Sequence, residues 1–201
     1  MKPEFPKRLA LFGGTFDPIH NGHLDLALLA RNECGLDELL FIPCARSPLK
    51  SSAPVASDEQ RCQMVSLALA ERGWSDWASL SRFEIDRPPP SYSWRTADHF
   101  RQIDPKSTLY WIVGGDQWEQ IERWAEPERL RRTLRFIVVT RRGSRARPRP
   151  GWEATFLEFE HPASATAIRE GCGKPDWLPQ SVSKFIEAEK LYHQRGGEMV
   201  K

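Results

Sequence analysis

Two histidines three residues apart, His20 and His23, close the segment Gly13-Gly14-Thr15-Phe16-Asp17-Pro18-Ile19-His20-Asn21-Gly22-His23. At that spacing on a helix start, two imidazoles can face one ligand together. The glycine pair permits a turn that a side chain would block and lets backbone approach a ligand closely. A helix beginning at Gly22 points its free N–H groups and positive dipole end at the same place. An anionic phosphate suits all of these features. Each part alone has a plainer reading, since Gly-Gly is often only a turn and one histidine is usually structural or solvated. No Gly-Lys-Ser/Thr follows, so this is not a Walker loop, and the G-x-G-x-x-G fingerprint is missing too. A second basic feature is the run Arg141, Arg142, Arg145, Arg147, Arg149, broken by Gly143, Pro148 and Pro150. Most of these arginines read as a solvated, flexible loop. Arg141, directly after an apolar strand, reads best as part of an electropositive rim that draws in a polyphosphate.

These groups need a scaffold, and the apolar pattern supplies one. Arg8–Phe12 reads as a buried strand ending at the glycines, and Gly22–Cys34 as a helix apolar almost all round. Glu38–Cys44 reads as a second strand. Ser57 opens a helix with a capping box, because Gln60 three residues on can reach back to its N–H. Ala78–Ile85 is expected as a third strand, stopped by Pro88-Pro89-Pro90, and Tyr92–Phe100 as a further helix. Leu109–Val113 and Phe136–Thr140 are short β-branched and apolar runs that suit central parallel strands. Thr155–Phe159 is a weaker strand, and Ser181–Tyr192 a last helix. Strands alternating with helices predict an α/β protein: a Rossmann-like, open, mostly parallel sheet with helices on both faces. In such a sheet, ligands bind at the carboxyl ends of strands near a switch in strand order, which is where Gly13–His23 falls.

The 201 residues suit one domain over 1–201, with 196–201 expected as a frayed tail. Hydrophobic residues are 40% and charged residues 28%, which excludes collagenous, coiled-coil and wholly disordered classes. The net charge of +2, from 29 basic and 27 acidic residues, does not suggest a dedicated nucleic-acid binder. No stretch approaches the roughly 18 apolar residues that span a bilayer, and no secretory leader is expected at Met1–Arg8. Cys34, Cys44, Cys62 and Cys172 are scattered without a C-x-x-C, which favours reduced thiols and a cytoplasmic setting over metal binding or disulfides.

The eleven-residue string is more specific than its parts. It closely resembles the H-x-G-H signature of the nucleotidylyltransferase superfamily, and GGTFDPIHNGHL is similar to the bacterial nicotinate-nucleotide adenylyltransferases. Further segments follow in the family's order. Ile42-Pro43 through Pro48-Leu49-Lys50 resembles its strand and basic loop, and Ser57–Met64 its next helix. Glu84–Arg87 with Ser91-Tyr92-Ser93 resembles E-x-x-R…S-Y-T. Gly114-Gly115-Asp116 with Trp124 resembles G-x-D…W, and Ser164–Arg169 resembles S-[SA]-T-x-I-R. Ser183–Tyr192 resembles the terminal helix. Three departures, Leu49 for a common His, Ser93 for Thr and Ala125 for an aromatic residue, cluster on the pyridine-nucleotide side.

The resemblance implies transfer of the adenylyl group of ATP to nicotinate mononucleotide, giving nicotinate adenine dinucleotide and pyrophosphate. The acceptor phosphate is already an anion, so positioning and charge stabilisation matter more than a general base. By this resemblance His20, His23 and Arg169 carry the chemistry. Gly13, Gly14, Thr15, Phe16, Gly114, Asp116, Arg141, Ser164 and Thr166 join them around ATP. Thr15, Lys50, Tyr92, Ser93 and Trp124 take the acceptor, with Trp118 an alternative stacking platform. Ser164 and Thr166 equally suit plain N-capping. Mg²⁺ is implied as a bridge between the ATP phosphates, with no protein side chain required as a metal ligand. A homo-oligomer stays open. So do another phosphate acceptor, such as nicotinamide mononucleotide or phosphopantetheine, and a silent nucleotide- or RNA-binding module.

Overall fold

The computed structural model describes residues 6–46 and 52–192. Among the described residues six strands form one sheet: β1 Arg8–Gly14, β2 Glu38–Pro43, β3 Ala78–Leu80, β4 Thr108–Gly114, β5 Arg135–Thr140 and β6 Ala154–Glu158. Their spatial order is β3-β2-β1-β4-β5-β6. Every ladder among the described residues is parallel, where a mostly parallel sheet was expected. The helices are α1 Asn21–Cys34, α2 Asp58–Arg72, α3 Ser93–Ile103, α4 Gly115–Trp118, α5 Pro127–Thr133, α6 Ala165–Arg169 and α7 Gln180–Ala188.

Alternation along the strands splits the core in two. Ala10 and Phe12, Leu39 and Phe41, Tyr110 and Ile112 point to one face, where Leu24, Ala27, Met64, Val65 and Val182 of α1, α2 and α7 pack on them. Leu9 and Leu11, Leu40 and Ile42, Trp111 and Val113 point to the other, against Ala97 and Phe100 of α3, Trp118 of α4 and Leu130 of α5. A strand buried on both faces must be apolar at every position, which is why β1, β2 and β4 read as continuous runs.

The Ser57 capping box forms as expected: Gln60 N–H donates to Ser57 Oγ at 3.2 Å, and Ser57 N–H to Gln60 Oε1 at 3.0 Å. The third strand is shorter than expected, ending at Leu80 instead of Ile85. Arg82 forks to Glu59 and to Asp86, and the Asp86 N–H closes on the Arg82 carbonyl at 3.0 Å. The Asp86 contacts are local and the Glu59 pair reaches α2, and between them residues 81–86 form a turn. No helix among the described residues is long and apolar enough to cross a membrane.

Candidate active site

β1 and β4 lie side by side, yet their following helices leave to opposite faces. The crevice at their carboxyl ends is the switch point where open α/β sheets bind ligands. Two connected cavities open there, sharing Phe12, Ile112, Val113 and Gly114. One is an aromatic lobe of about 590 Å³, with Trp111 at its floor and Glu84, Tyr92, Ser93 and Trp124 around it. The other is a basic lobe of about 660 Å³, lined by His20, His23, His161, Arg141, Arg142 and Arg145 among others.

The His20 N–H donates to His23 Nδ1 at 3.3 Å, and the His23 N–H to the His20 carbonyl at 2.9 Å. The two imidazoles stack with centroids 3.8 Å apart. Phe16 supports the pair from below, meeting His23 edge-on at 5.1 Å. Its backbone is left-handed, at φ 49°, a conformation that costs a bulky residue on the order of 1–3 kcal/mol. Burial of its ring to 2% exposure, against Phe12 and Phe41, offsets that cost. Gly22 separates His20 from His161: a Cβ there would lie 3.0 Å from His161 Nδ1 and 3.1 Å from His20 Nδ1. His20 is 7% exposed, and its Nδ1 has no hydrogen-bond partner among the described residues. Burial, reinforced by nearby His161, pushes its pKa down to about 4, so it enters the site as a neutral donor at pH 7.

The residues singled out from the sequence divide between the lobes. His20, His23, Gly114, Asp116, Arg141, Ser164 and Thr166 line the basic lobe. Tyr92, Ser93 and Trp124 line the aromatic lobe with Thr15, which was expected at both substrates, and so do Gly13 and Gly14, which were expected around ATP. The two glycines give way to the protein's own rings: a Cβ at Gly13 would meet Trp111 at 2.9 Å, and one at Gly14 would meet Phe16 at 2.7 Å. Phe16 lines neither lobe and acts on the site through His23. Arg169 also lines neither; its Nη1 donates to the Asp17 carbonyl at 2.7 Å and its Nη2 to Thr166 Oγ1 at 3.2 Å. Ser164 caps α6, accepting from the Ala167 N–H at 3.4 Å, as the plain reading allowed. Lys50 and Leu49 lie outside the described residues. Trp118 is no platform, because it is wholly buried and its indole donates to the Arg147 carbonyl at 2.8 Å. Arg141, Arg142, Arg145 and Arg147 are exposed, as a solvated loop was expected to be, and that bond ties the loop to α4. Arg149 holds the Glu119 carbonyl and Glu122 outside the loop, Arg147 closes on the carbonyls of Ser144 and Ala146 within it, and Arg141, Arg142 and Arg145 line the basic lobe.

A family model described as cytidylyltransferase-like matches residues 11–171. A probable nicotinate-nucleotide adenylyltransferase of Methylacidiphilum infernorum is 37% identical over 92% of this chain and 92% of its own length. The nicotinate-nucleotide adenylyltransferase of Bacillus subtilis is 36% identical over 92% of this chain and 98% of its own. The chain belongs to the nicotinate-nucleotide adenylyltransferase family. Its fold is shared by the Plasmodium falciparum nicotinic acid mononucleotide adenylyltransferase complexed with NaAD, with a TM-score of 0.73 at 18% identity over 92% of this chain and 97% of that one.

In this nicotinate-nucleotide adenylyltransferase family member, four supports of the site were not assigned roles from sequence. The buried Asp17 carboxylate accepts from the Val55 N–H at 2.8 Å, the Ala56 N–H at 3.0 Å and the Tyr192 hydroxyl at 2.8 Å. It thereby ties the histidine loop to the chain's last described residue. Burial and this bond push the Tyr192 phenol well above its usual pKa. Arg61, wholly buried, donates to the Thr15 carbonyl at 2.7 Å and pairs with Asp58. Glu84, buried beside the aromatic lobe, accepts from Thr96 Oγ1 at 2.6 Å. Burial raises its carboxyl, while hydrogen bonds from Thr96 and Ser91 pull the other way. A lone acid, arginine or tyrosine in a sequence says nothing of these partners; for Asp17 the only signal is its place inside the histidine string.

Proposed function

We propose that this protein transfers the adenylyl group of ATP to nicotinate mononucleotide, releasing pyrophosphate and forming nicotinate adenine dinucleotide. The observation that carries this reading is the pair of joined cavities at the β1/β4 switch point, one basic and holding the histidine pair, the other aromatic. The family relatives named nicotinate-nucleotide adenylyltransferase support the acceptor's identity. The triphosphate takes the basic lobe, where His20 and His23 donate to its oxygens and Arg141 adds positive potential. The ring of the acceptor takes the aromatic lobe, against Trp124 with Tyr92 and Ser93 nearby. The acceptor's 5′-phosphate oxygen attacks the α-phosphorus in line. A P–O bond forms as the bond to the bridging oxygen breaks, and pyrophosphate carries away the electron pair. No protein nucleophile takes part.

The neutral His20 fits this task, because a donor without charge can bind a phosphate oxygen and strengthen its hold as negative charge develops. Arg169 acts on the leaving group's side through Thr166 and the Asp17 loop. Mg²⁺ fits as an ion carried on the triphosphate, where it neutralises phosphate charge. Asp116, exposed on the basic lobe, is placed to accept from a water of its shell or from a ribose hydroxyl. None of the four cysteines is in a disulfide among the described residues, which supports a cytoplasmic setting.

The test offers purified protein ATP and Mg²⁺ with nicotinate mononucleotide, nicotinamide mononucleotide or phosphopantetheine, and measures pyrophosphate. Nicotinate mononucleotide should give the highest kcat/KM. Turnover with phosphopantetheine alone would replace the acceptor, and absence of turnover with every acceptor would remove the enzymatic reading.

A further inference from the structure

Arg123 is the only arginine among the described residues that line the aromatic lobe. It is exposed, and has no carboxylate within ion-pair distance among the described residues. Its chain neighbour Glu122 faces away, held by Arg149 at 3.2 Å. Its backbone is fixed: Ile121 is wholly buried, the Arg123 N–H donates to the Gln120 carbonyl at 2.8 Å, and the Trp124 N–H to the Ile121 carbonyl at 3.1 Å. A guanidinium and an indole, adjacent in the chain and held by one short 3₁₀ turn, thus share a wall of the lobe.

The rest of that lobe makes this cation matter. Glu84 is the only acidic residue among the lining residues, and it turns to Thr96 Oγ1 at 2.6 Å. A ring carrying a carboxylate would meet no other fully charged cation among them. A guanidinium can hold a carboxylate through two parallel N–H bonds. A carboxamide offers it one acceptor oxygen and an NH₂ group that opposes its donors.

We infer that Arg123 is the residue that sets preference for the anionic pyridine nucleotide, by holding the ring carboxylate while Trp124 takes the ring face. This inference rests on the aromatic lobe being the acceptor's, as proposed above. It also supplies the positive donor that Ser93 and backbone N–H groups lack.

The experiment compares kcat/KM for nicotinate and nicotinamide mononucleotides, at saturating ATP, in the unmodified protein, R123Q and R123K. A charged hydrogen bond at a partly solvated site supports about a tenfold effect. R123Q should therefore lower the nicotinate-to-nicotinamide ratio about tenfold. The loss should appear in KM for nicotinate mononucleotide, with KM for nicotinamide mononucleotide and for ATP unchanged. R123K should recover part of the ratio, and unchanged ATP kinetics establish that each variant is folded. If R123Q weakens both acceptors equally, Arg123 only attracts the common phosphate and the inference fails. A nicotinate preference that survives R123Q intact also overturns it, while leaving the acceptor reading standing. A preference for nicotinamide mononucleotide in the unmodified protein overturns the acceptor reading and this inference together.

Discussion

Acidification should expose the cost of burying His20. In the folded protein its pKa is pushed from 6.5 down to about 4, first by burial and then by His161. The unfolded chain binds a proton near pH 6.5 that the folded protein refuses until about pH 4. Unfolding therefore takes up a proton in that window, and stability must fall as pH falls. The contribution is fully present above pH 6.5 and is lost progressively toward pH 4. At pH 5 the two pKa values give a loss of about 2 kcal/mol relative to pH 7, at 1.36 kcal/mol per unit. Against a typical total of about 5–15 kcal/mol, that loss is large enough to measure. The variant His20→Asn removes the titrating group and keeps a polar side chain. Urea denaturation of both proteins at pH 7 and pH 5 isolates the effect as a double difference. The unmodified protein should lose about 2 kcal/mol more than His20→Asn between the two pH values. His161→Gln, which removes one of the two causes, should shrink that difference. Parallel losses in the unmodified protein and His20→Asn would show that His20 titrates normally and is not desolvated as described.

Gly22→Ala should separate stability from activity. Alanine is the better helix former by about 1 kcal/mol, but its Cβ would press on His20 and His161 at 3.0–3.1 Å. Turnover should fall on the order of 10-fold, as expected for a displaced phosphate donor, while the thermal midpoint stays level or rises; full activity would show that the imidazoles give way freely. Trp124→Ala should raise KM for the pyridine nucleotide and spare KM for ATP, since a stacking platform contributes roughly 1–3 kcal/mol to one substrate only. Steady-state kinetics with each substrate varied would detect the opposite pattern. Asp17→Ala should lower stability by about 2–4 kcal/mol, because three donors lose their acceptor, whereas Tyr192→Phe should cost about 1 kcal/mol. Equal effects in denaturant melts would mean that the phenol carries the whole junction.

The sheet was legible in the sequence because its strands are buried on both faces. Continuous runs such as Leu109–Val113 and Phe136–Thr140 leave few other readings, and parallel pairing follows once helices intervene. The histidine segment was legible too, because its glycines, its paired imidazoles and its place between a strand and a helix are local. Arg82 shows where local pattern stops: the strand expected over Ala78–Ile85 ends at Leu80, and Arg82 pairs with Glu59 and Asp86 where the chain turns. The same limit governs the site. That Gly13 and Gly14 make room for Trp111 and Phe16 depends on a ring from β4 and a left-handed residue two positions on. That Arg169 grips the Asp17 loop depends on a partner 152 residues away in the chain. Trp118 and Trp124 differ by six positions and by nothing in their side chains. Only the fold buries one beneath the arginine loop and sets the other beside Arg123 on the wall of a cavity. Periodicity and short motifs record what neighbours along the chain must do together. Partners distant in sequence, and the burial that shifts the pKa of His20, are properties of the packed molecule.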